Sequence, residues 1–126
     1  MAGIGIDILE IDRFKDAYEK SGEPFLERIF TAAELKGADG KNKNPMHLAG
    51  KFSAKEAVKK ALPDGAVIGL KWTDIEILNY EDGKPYVCLH GRARDVADKH
   101  KIAKILVSIT HSERNAAANA IAVSGV

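Results

Sequence analysis

Hydrophobic residues alternate with small or polar residues at the start of the chain. In "GIGIDILE" the three isoleucines share one face of a predicted strand over about residues 3–9, because strand side chains alternate with a period of two. Asp7 lies on the opposite face, beside two glycines that leave space around it. A carboxylate away from bulk water is costly unless it has a cation or several donors, so we expect Asp7 to find a partner elsewhere in the chain.

Helical spacing and capping residues dominate the next fifty positions. The first predicted helix runs from about Asp12 to Lys20, and a short second helix follows Pro24. A third begins at a capping box formed by Thr31 and Glu34, and a fourth runs from an Asn44 cap to about Leu62. The stretches "GADGKNKNP" and Pro63-Asp64-Gly65 interrupt the helical pattern.

Strand patterns dominate the second half. "DIEILNY" and "PYVCL" predict a hairpin with a connection of about five residues, and "KILVSITHS" with "NAAANAIAVS" predicts a final strand pair. A helix is expected between them, over residues 91–100. Early helices and late hairpins indicate a single α+β domain over residues 1–126, although the strand, helix, strand order leaves α/β open. The alanine-rich last strand is expected to be buried or to face another subunit.

Composition narrows the class of protein. No apolar run approaches the roughly 20 residues of a membrane span, and the N-terminus lacks a signal-peptide pattern, so we expect a cytoplasmic protein that does not bind membranes. The single cysteine, Cys88, and four scattered histidines give no zinc-ligand spacing.

The formal net charge of +1 hides an uneven distribution. Residues 1–35 hold eight acids and four bases, residues 36–60 hold two acids and seven lysines, and residues 61–126 hold eight of each. The central block suits phosphates, nucleic acid or an acidic protein, or is simply a solvated helix face, and charge alone does not separate these.

The predicted long helix contains most of that block in "AGKFSAKEAVKKAL". Its apolar residues fall on one arc that we expect to face the core: Ala54, Ala57, Val58, Ala61 and Leu62. Lys51, Lys55 and Lys59 follow one another at i, i+4 and i+8, with Glu56 as the lone carboxylate beside them. One interpretation is a solvated face with ordinary ion pairs. In the other, Glu56 and Asp7 together hold Mg²⁺ while the lysines neutralise the phosphates of a substrate.

A third polar group ends a strand in "VSITHS". His111 could donate to a phosphate or assist proton transfer there, or could be an ordinary surface histidine. The chain has neither a GxSxG turn for a serine hydrolase nor the glycine motifs of nucleotide hydrolases and dinucleotide enzymes.

Four motifs in order give the chain a family resemblance. With "GIGIDILEIDRF", "AGKFSAKEAVKKAL", "DGKPYV" and "VSITHS", it resembles holo-[acyl-carrier-protein] synthases of the 4′-phosphopantetheinyl transferase family over essentially its whole length. The resemblance implies transfer of 4′-phosphopantetheine from coenzyme A to a serine of apo acyl carrier protein, releasing adenosine 3′,5′-bisphosphate. It also implies Mg²⁺, a homotrimer with sites between subunits, and a role in fatty acid biosynthesis.

The resemblance also assigns residues. Asp7 and Glu56 match the metal ligands, and Lys60 is expected to join them as a catalytic residue. The positions expected to meet coenzyme A phosphates are Lys51, Lys55, Lys59, Lys60 and His111, with a smaller residue common in the family at position 59. Arg13 lies where relatives dock the acidic carrier protein.

Several alternatives stay open at this point. The carrier protein could serve polyketide or peptide synthesis, the metal could be Mn²⁺, and the serine could be deprotonated by Glu56 or by a metal-bound water. A small RNA-binding module is a different class, which the scarcity of aromatics near the basic block disfavours, so we expect no nucleic-acid partner.

Overall fold

In the computed structural model, which describes residues 2–36, 44–63 and 68–125, the helices and strands follow the predicted order. They are β1 (Gly3–Glu10), α1 (Ile11–Ser21), α2 (Glu23–Ile29), α3 (Ala32–Lys36), α4 (Pro45–Ala61), β2 (Ile75–Asn79), β3 (Pro85–Leu89), α5 (Gly91–Lys99), β4 (Ile102–His111) and β5 (Asn115–Ser124). A short 3₁₀ helix over Trp72–Asp74, which the sequence did not predict, precedes β2. Most of the two predicted breaks around residues 37–43 and 64–65 lies outside the described residues.

The strands form two antiparallel sheets. One has the order β1-β5-β4, and the other is the β2-β3 hairpin, with a five-residue connection as predicted. Every strand pair among the described residues is antiparallel, so the α+β class is confirmed and the α/β alternative is wrong.

Helix α4 lies across the inner face of the three-stranded sheet. Asn44 caps it as predicted, with its side chain accepting from the Met46 N–H at 2.9 Å. A Cβ at Gly5 would collide with the Ala57 carbonyl, so glycine on β1 is what lets α4 approach so closely. Small residues fill this interface: Ala54, Ala57 and Ala61 from α4, and Ala116, Ala118, Ala120 and Ala122 from β5 are all buried.

The other face of this sheet carries exposed apolar residues. Ile4, Ile6 and Ile8 on β1 are 61%, 72% and 69% exposed, and Leu106 on β4 is 50% exposed. The alanine-rich β5 is therefore buried on one face only, under α4.

A second hydrophobic cluster joins α1 and α2 to the start of α4. The Phe14 ring lies 5.6 Å from that of Phe25 and 5.9 Å from that of Phe52, measured between centroids. This cluster places α1 and α2 beside the end of β1 that follows Asp7. No helix among the described residues is both long and apolar enough to cross a membrane.

Candidate functional site

Asp7 finds its partners on α4. The Ser53 hydroxyl lies 3.0 Å from Asp7 Oδ2 and 3.2 Å from the Asp7 carbonyl oxygen. The Lys60 ammonium donates to the Ile6 carbonyl at 3.0 Å and lies 3.5 Å from Asp7 Oδ1. The Asp7 side chain keeps 14% of its surface exposed and that of Lys60 keeps 53%, so this polar cluster opens to solvent at one side.

Glu56 lies on the same side of α4, one turn before Lys60. Burial raises the pKa of Glu56, and the nearby Asp7 carboxylate raises it further, against the opposing effect of Lys59 and Lys60. Asp7 and Glu56, the two carboxylates that the sequence singled out, are therefore near enough to act on each other electrostatically. Their mutual repulsion is the property of a site that a cation would stabilise.

Lys55 is not at this site. Its side chain is fully buried, and its ammonium donates to Glu34 Oε1 at 2.8 Å, to the Trp72 carbonyl at 3.0 Å and to the Ile75 carbonyl at 2.6 Å. An ammonium has three N–H donors, so Lys55 has none left for a phosphate. Burial lowers the pKa of Lys55, and Glu34 offsets part of that effect.

Lys51 is buried as well, and its ammonium lies 3.4 Å from the Glu34 carbonyl oxygen. The interpretation of Lys51, Lys55 and Lys59 as one surface row is thus wrong for the first two, because α4 is covered on that side by α3, the 3₁₀ helix and β2. The basic block of the sequence is correspondingly less basic at the surface.

Glu34 has a second role, as the partner of Lys55, that the sequence did not predict. Its capping box with Thr31 is confirmed: the Thr31 N–H donates to Glu34 Oε1 at 2.8 Å, and the Glu34 N–H to Thr31 Oγ1 at 3.1 Å. Its other oxygen accepts the Ile77 N–H at 2.8 Å. The cap itself was readable from the sequence, but the ion pair with Lys55 joins residues 21 positions apart and has no local signal.

A second carboxylate extends this buried polar network. Glu76 on β2 accepts from the Thr31 hydroxyl at 2.5 Å and lies 2.9 Å from His90 Nε2. Burial alone would raise the pKa of Glu76, but the hydrogen bonds with Thr31 and His90 outweigh it, so the pKa is lowered. The network thus ties α3 and α4 to the hairpin behind the site.

Lys59 and His111 occupy different surroundings. The Lys59 ammonium lies over the Trp72 ring, 4.8 Å from its centroid, at the edge of the face that carries Glu56. His111 ends β4, which is separated from β1 by β5. Two strand spacings amount to about 10 Å, so the fold does not bring His111 to the carboxylates of its own chain.

An apolar groove of about 630 Å³ lies between β1, α1, α2 and α4, and its lining begins at Ile8, the residue after Asp7. Its lining includes Phe14, Phe25 and Phe52, with Arg13 and Arg28 among the polar residues around it. Phe52 lies one helical turn before Glu56, which joins the groove to the site. The sequence indicated Arg13 here. Arg28 was missed, since nothing in the spacing of α2 relates it to α1.

The chain matches known proteins over nearly its whole length. A family profile described as the 4′-phosphopantetheinyl transferase superfamily matches residues 3–121. The chain is 50% identical over 121 residues to a holo-[acyl-carrier-protein] synthase of Alkaliphilus oremlandii, covering 96% of this chain and 98% of that protein. It is 49% identical over 120 residues to that of Alkaliphilus metalliredigens, covering 95% and 97%.

Solved structures show the same fold. The Plasmodium yoelii acyl carrier protein synthase with ADP bound has a TM-score of 0.86 and 34% identity, covering 100% of this chain and 97% of that chain. The Helicobacter pylori holo-[acyl-carrier-protein] synthase in complex with coenzyme A has a TM-score of 0.81 and 29% identity, covering 94% and 98%.

Proposed function

The chain belongs to the 4′-phosphopantetheinyl transferase superfamily, and from that premise we propose that it transfers 4′-phosphopantetheine from coenzyme A to a serine of apo acyl carrier protein. The products are holo acyl carrier protein and adenosine 3′,5′-bisphosphate. The observation that carries the proposal is the convergence of Asp7 and Glu56 on one solvent-facing side of α4, in a chain that matches the family from residue 3 to residue 121.

The two carboxylates fit Mg²⁺. Carboxylate oxygens are the ligands this ion prefers, and it commonly takes one or two of them while substrate phosphates and waters complete its shell. Asp7 raises the pKa of Glu56, although burial is the larger cause and Lys59 and Lys60 oppose it, so the two carboxylates are close enough to repel each other. A bound Mg²⁺ would supply neutralisation of the diphosphate charge that grows during transfer.

The chemistry of the transfer sets the roles of the chain's own groups. The serine oxygen of the carrier protein forms a bond to the β-phosphorus of coenzyme A. The bond from that phosphorus to the oxygen bridging it to the bisphosphate breaks, and the serine proton goes to a base. We assign Glu56 as that base, since it is a partly exposed carboxylate near Asp7. Lys60, with a half-exposed ammonium beside Asp7, neutralises charge on the phosphates.

The remaining cofactor contacts are assigned to exposed groups. Lys59 is placed for coenzyme A binding at the edge of the carboxylate face. His111 serves a site shared between subunits, since its strand lies away from the carboxylates of its own chain. Lys51 and Lys55 are not included, because their ammonium groups are buried on protein acceptors.

The carrier protein is assigned to the groove beside the site. Arg13 and Arg28 flank an aromatic floor there, an arrangement that suits an acidic protein with an apolar contact residue. The reacting serine can then reach the phosphorus, because Phe52 and Glu56 are one turn apart on α4. We assign the carrier protein of fatty acid synthesis, in the cytoplasm, as the partner.

We further propose a homotrimer. The outer face of the β1-β5-β4 sheet exposes Ile4, Ile6, Ile8 and Leu106 together, and exposed apolar surface of this kind marks protein interfaces. Association through this face would cover it.

Mass spectrometry of the carrier protein tests the proposed function. Incubation of the chain with coenzyme A, Mg²⁺ and apo acyl carrier protein should add one phosphopantetheinyl group. Asp7→Ala and Glu56→Ala should each lower the rate about a hundredfold to a thousandfold, the scale of losing a group that stabilises transition-state charge.

The matched control is Asp95→Ala, which removes an exposed carboxylate of α5 remote from the site. Circular dichroism should show that all variants are folded. Near wild-type turnover by either site variant at limiting Mg²⁺ would show that the assigned site is wrong.

A further inference from the structure

Ser53 is the one buried serine among the described residues, and it is not used in the chemistry above. Serines inside helices usually bond a carbonyl one turn back in their own helix. Ser53 instead reaches across the interface between α4 and β1 and contacts two atoms of Asp7. This arrangement needs the close approach of helix to strand that Gly5 permits.

The hydroxyl of Ser53 has a single proton and two acceptors within reach. Asp7 Oδ2 lies at 3.0 Å and the Asp7 carbonyl oxygen at 3.2 Å. Hydrogen bonds to an ionised acceptor are about twice as strong as those between neutral groups, so the proton goes to the carboxylate. Ser53 therefore holds Oδ2 of Asp7 in place.

The opposite oxygen is held differently. Lys60 lies 3.5 Å from Oδ1, beyond the range of a strong hydrogen bond, and its side chain is half exposed and long. To turn toward a bound phosphate, that ammonium would give up its bond to the Ile6 carbonyl and the long contact with Oδ1, whereas Ser53 is fully buried and has no access to solvent. The fixed contact of the Asp7 carboxylate is thus the one with Ser53.

We propose that Ser53 is a positioning residue for the metal-binding carboxylate of Asp7. It fixes the carboxylate plane before the cation arrives by holding Oδ2, which leaves Oδ1 on the side of the half-exposed Lys60. Partners of this kind orient ligating groups, and their loss typically costs 10- to 100-fold in metal affinity. This inference rests on the proposed function, since it takes Asp7 as a metal ligand.

Direct binding of Mn²⁺ to the protein alone provides the test, read by the electron paramagnetic resonance of the free ion. Ser53→Ala should raise the Mn²⁺ dissociation constant about tenfold. Alanine is the best helix former, so α4 should persist. Ser53→Cys keeps the volume but has only a weak donor, and it should show a similar rise.

Two further variants serve as controls for the Mn²⁺ measurement. Ser21→Ala removes an exposed hydroxyl at the end of α1 and should bind Mn²⁺ like the wild type. Asp7→Ala should abolish binding. If Asp7→Ala bound Mn²⁺ normally, the metal site itself would be wrong and Ser53 would lose its role with it.

A kinetic split separates positioning from general damage. In Ser53→Ala the Mg²⁺ concentration for half-maximal activity should rise about tenfold, while the rate at saturating Mg²⁺ and the KM for coenzyme A stay within about twofold. The inference is overturned if both Ser53 variants bind Mn²⁺ as the wild type does while Asp7→Ala does not. It is equally overturned if only Ser53→Ala is weakened, because packing would then be the cause.

Discussion

The ammonium of Lys55 and the carboxylate of Glu34 lie 2.8 Å apart, with neither side chain exposed. Removing two charges from water costs several kcal/mol for each ion, and the attraction between them repays this only when their remaining hydrogen bonds are satisfied. In this protein those hydrogen bonds are made: the Lys55 ammonium also donates to two carbonyls, and the Glu34 carboxylate also accepts from two backbone N–H groups. Each charge thus depends on the other.

A double-mutant cycle should reveal that dependence. Lys55→Met and Glu34→Gln should each destabilise the protein by about 3 to 5 kcal/mol, because each leaves one buried charge uncompensated. The double variant should lose much less than the sum. Urea unfolding of the four proteins measures the coupling energy.

The exposed pair Lys15 and Glu19, 3.9 Å apart on α1, is the matched control. The corresponding cycle with Lys15→Met and Glu19→Gln should give a coupling of no more than about 0.5 kcal/mol. Equal couplings for the buried and the exposed pairs would contradict the view that burial makes Lys55 and Glu34 interdependent.

The sequence could not distinguish Lys55 from Lys59. Both fall in the same i, i+4, i+8 row, and helical spacing reports which residues share a face, not what covers that face. Burial of Lys55 depends on a carboxylate of α3 and on carbonyls near β2, which only the folded chain brings together. For Asp7 the sequence was informative, because a carboxylate within an apolar strand requires a polar partner. Lys60 and Ser53 are the partners that the structure shows.

Helix α4 and strand β1 together build the site. The start of α4 was readable from Asn44 and Pro45, and the face of β1 that carries Asp7 was readable from the period of two. The distance between α4 and β1 could not be predicted, because it depends on which atoms lie opposite each glycine of β1. Gly5 faces the Ala57 carbonyl directly, and this contact brings Ser53 within reach of Asp7. The sequence of either element alone therefore predicts only part of a site that both elements form.

The strand order was likewise only partly predictable from the sequence. Two terminal strands with a turn between them predicted the β4-β5 pair, since hairpins join neighbours in sequence. The β1-β5 pair joins the two ends of the chain, and no local signal reports it. That long-range pair puts the exposed isoleucines of β1 beside β5. Leu106 of β4 lies on the same outer face, so both edge strands of this sheet expose apolar side chains there.

That surface leads to a prediction about assembly. Light scattering at micromolar concentration should give three times the chain mass of 13.6 kDa. Ile6→Glu should shift the mass to that of one chain, because an isolated charge in an apolar interface is strongly unfavourable.

Ile68→Glu is the matched control, since Ile68 is equally exposed but belongs to none of the strands of this sheet. It should leave the mass unchanged. A wild-type mass of one chain would remove the intersubunit assignment of His111 along with the trimer.

The last prediction concerns the long-range effect of charge at the groove that we propose as the docking site of the carrier protein. Arg13→Glu should raise the KM for acyl carrier protein about three- to tenfold, because an exposed ion pair is worth up to about 1 kcal/mol and reversal turns attraction into repulsion. The KM for coenzyme A should change little, since Arg13 is on α1 and Lys60 is on α4. Steady-state kinetics with each substrate varied in turn separates the two effects.

Salt dependence gives a sharper form of the same test. Charges at the rim of an interface act mainly on the association rate, and they are screened over about 8 Å at physiological salt. The wild type should therefore lose carrier-protein affinity steeply as salt rises, and Arg13→Glu should lose it less steeply. Lys99→Glu makes the same change in net charge at the end of α5, away from the groove, and should keep the wild-type slope. Parallel slopes for Arg13→Glu and Lys99→Glu would mean that only net charge matters, and Arg13 would then have no special part in docking.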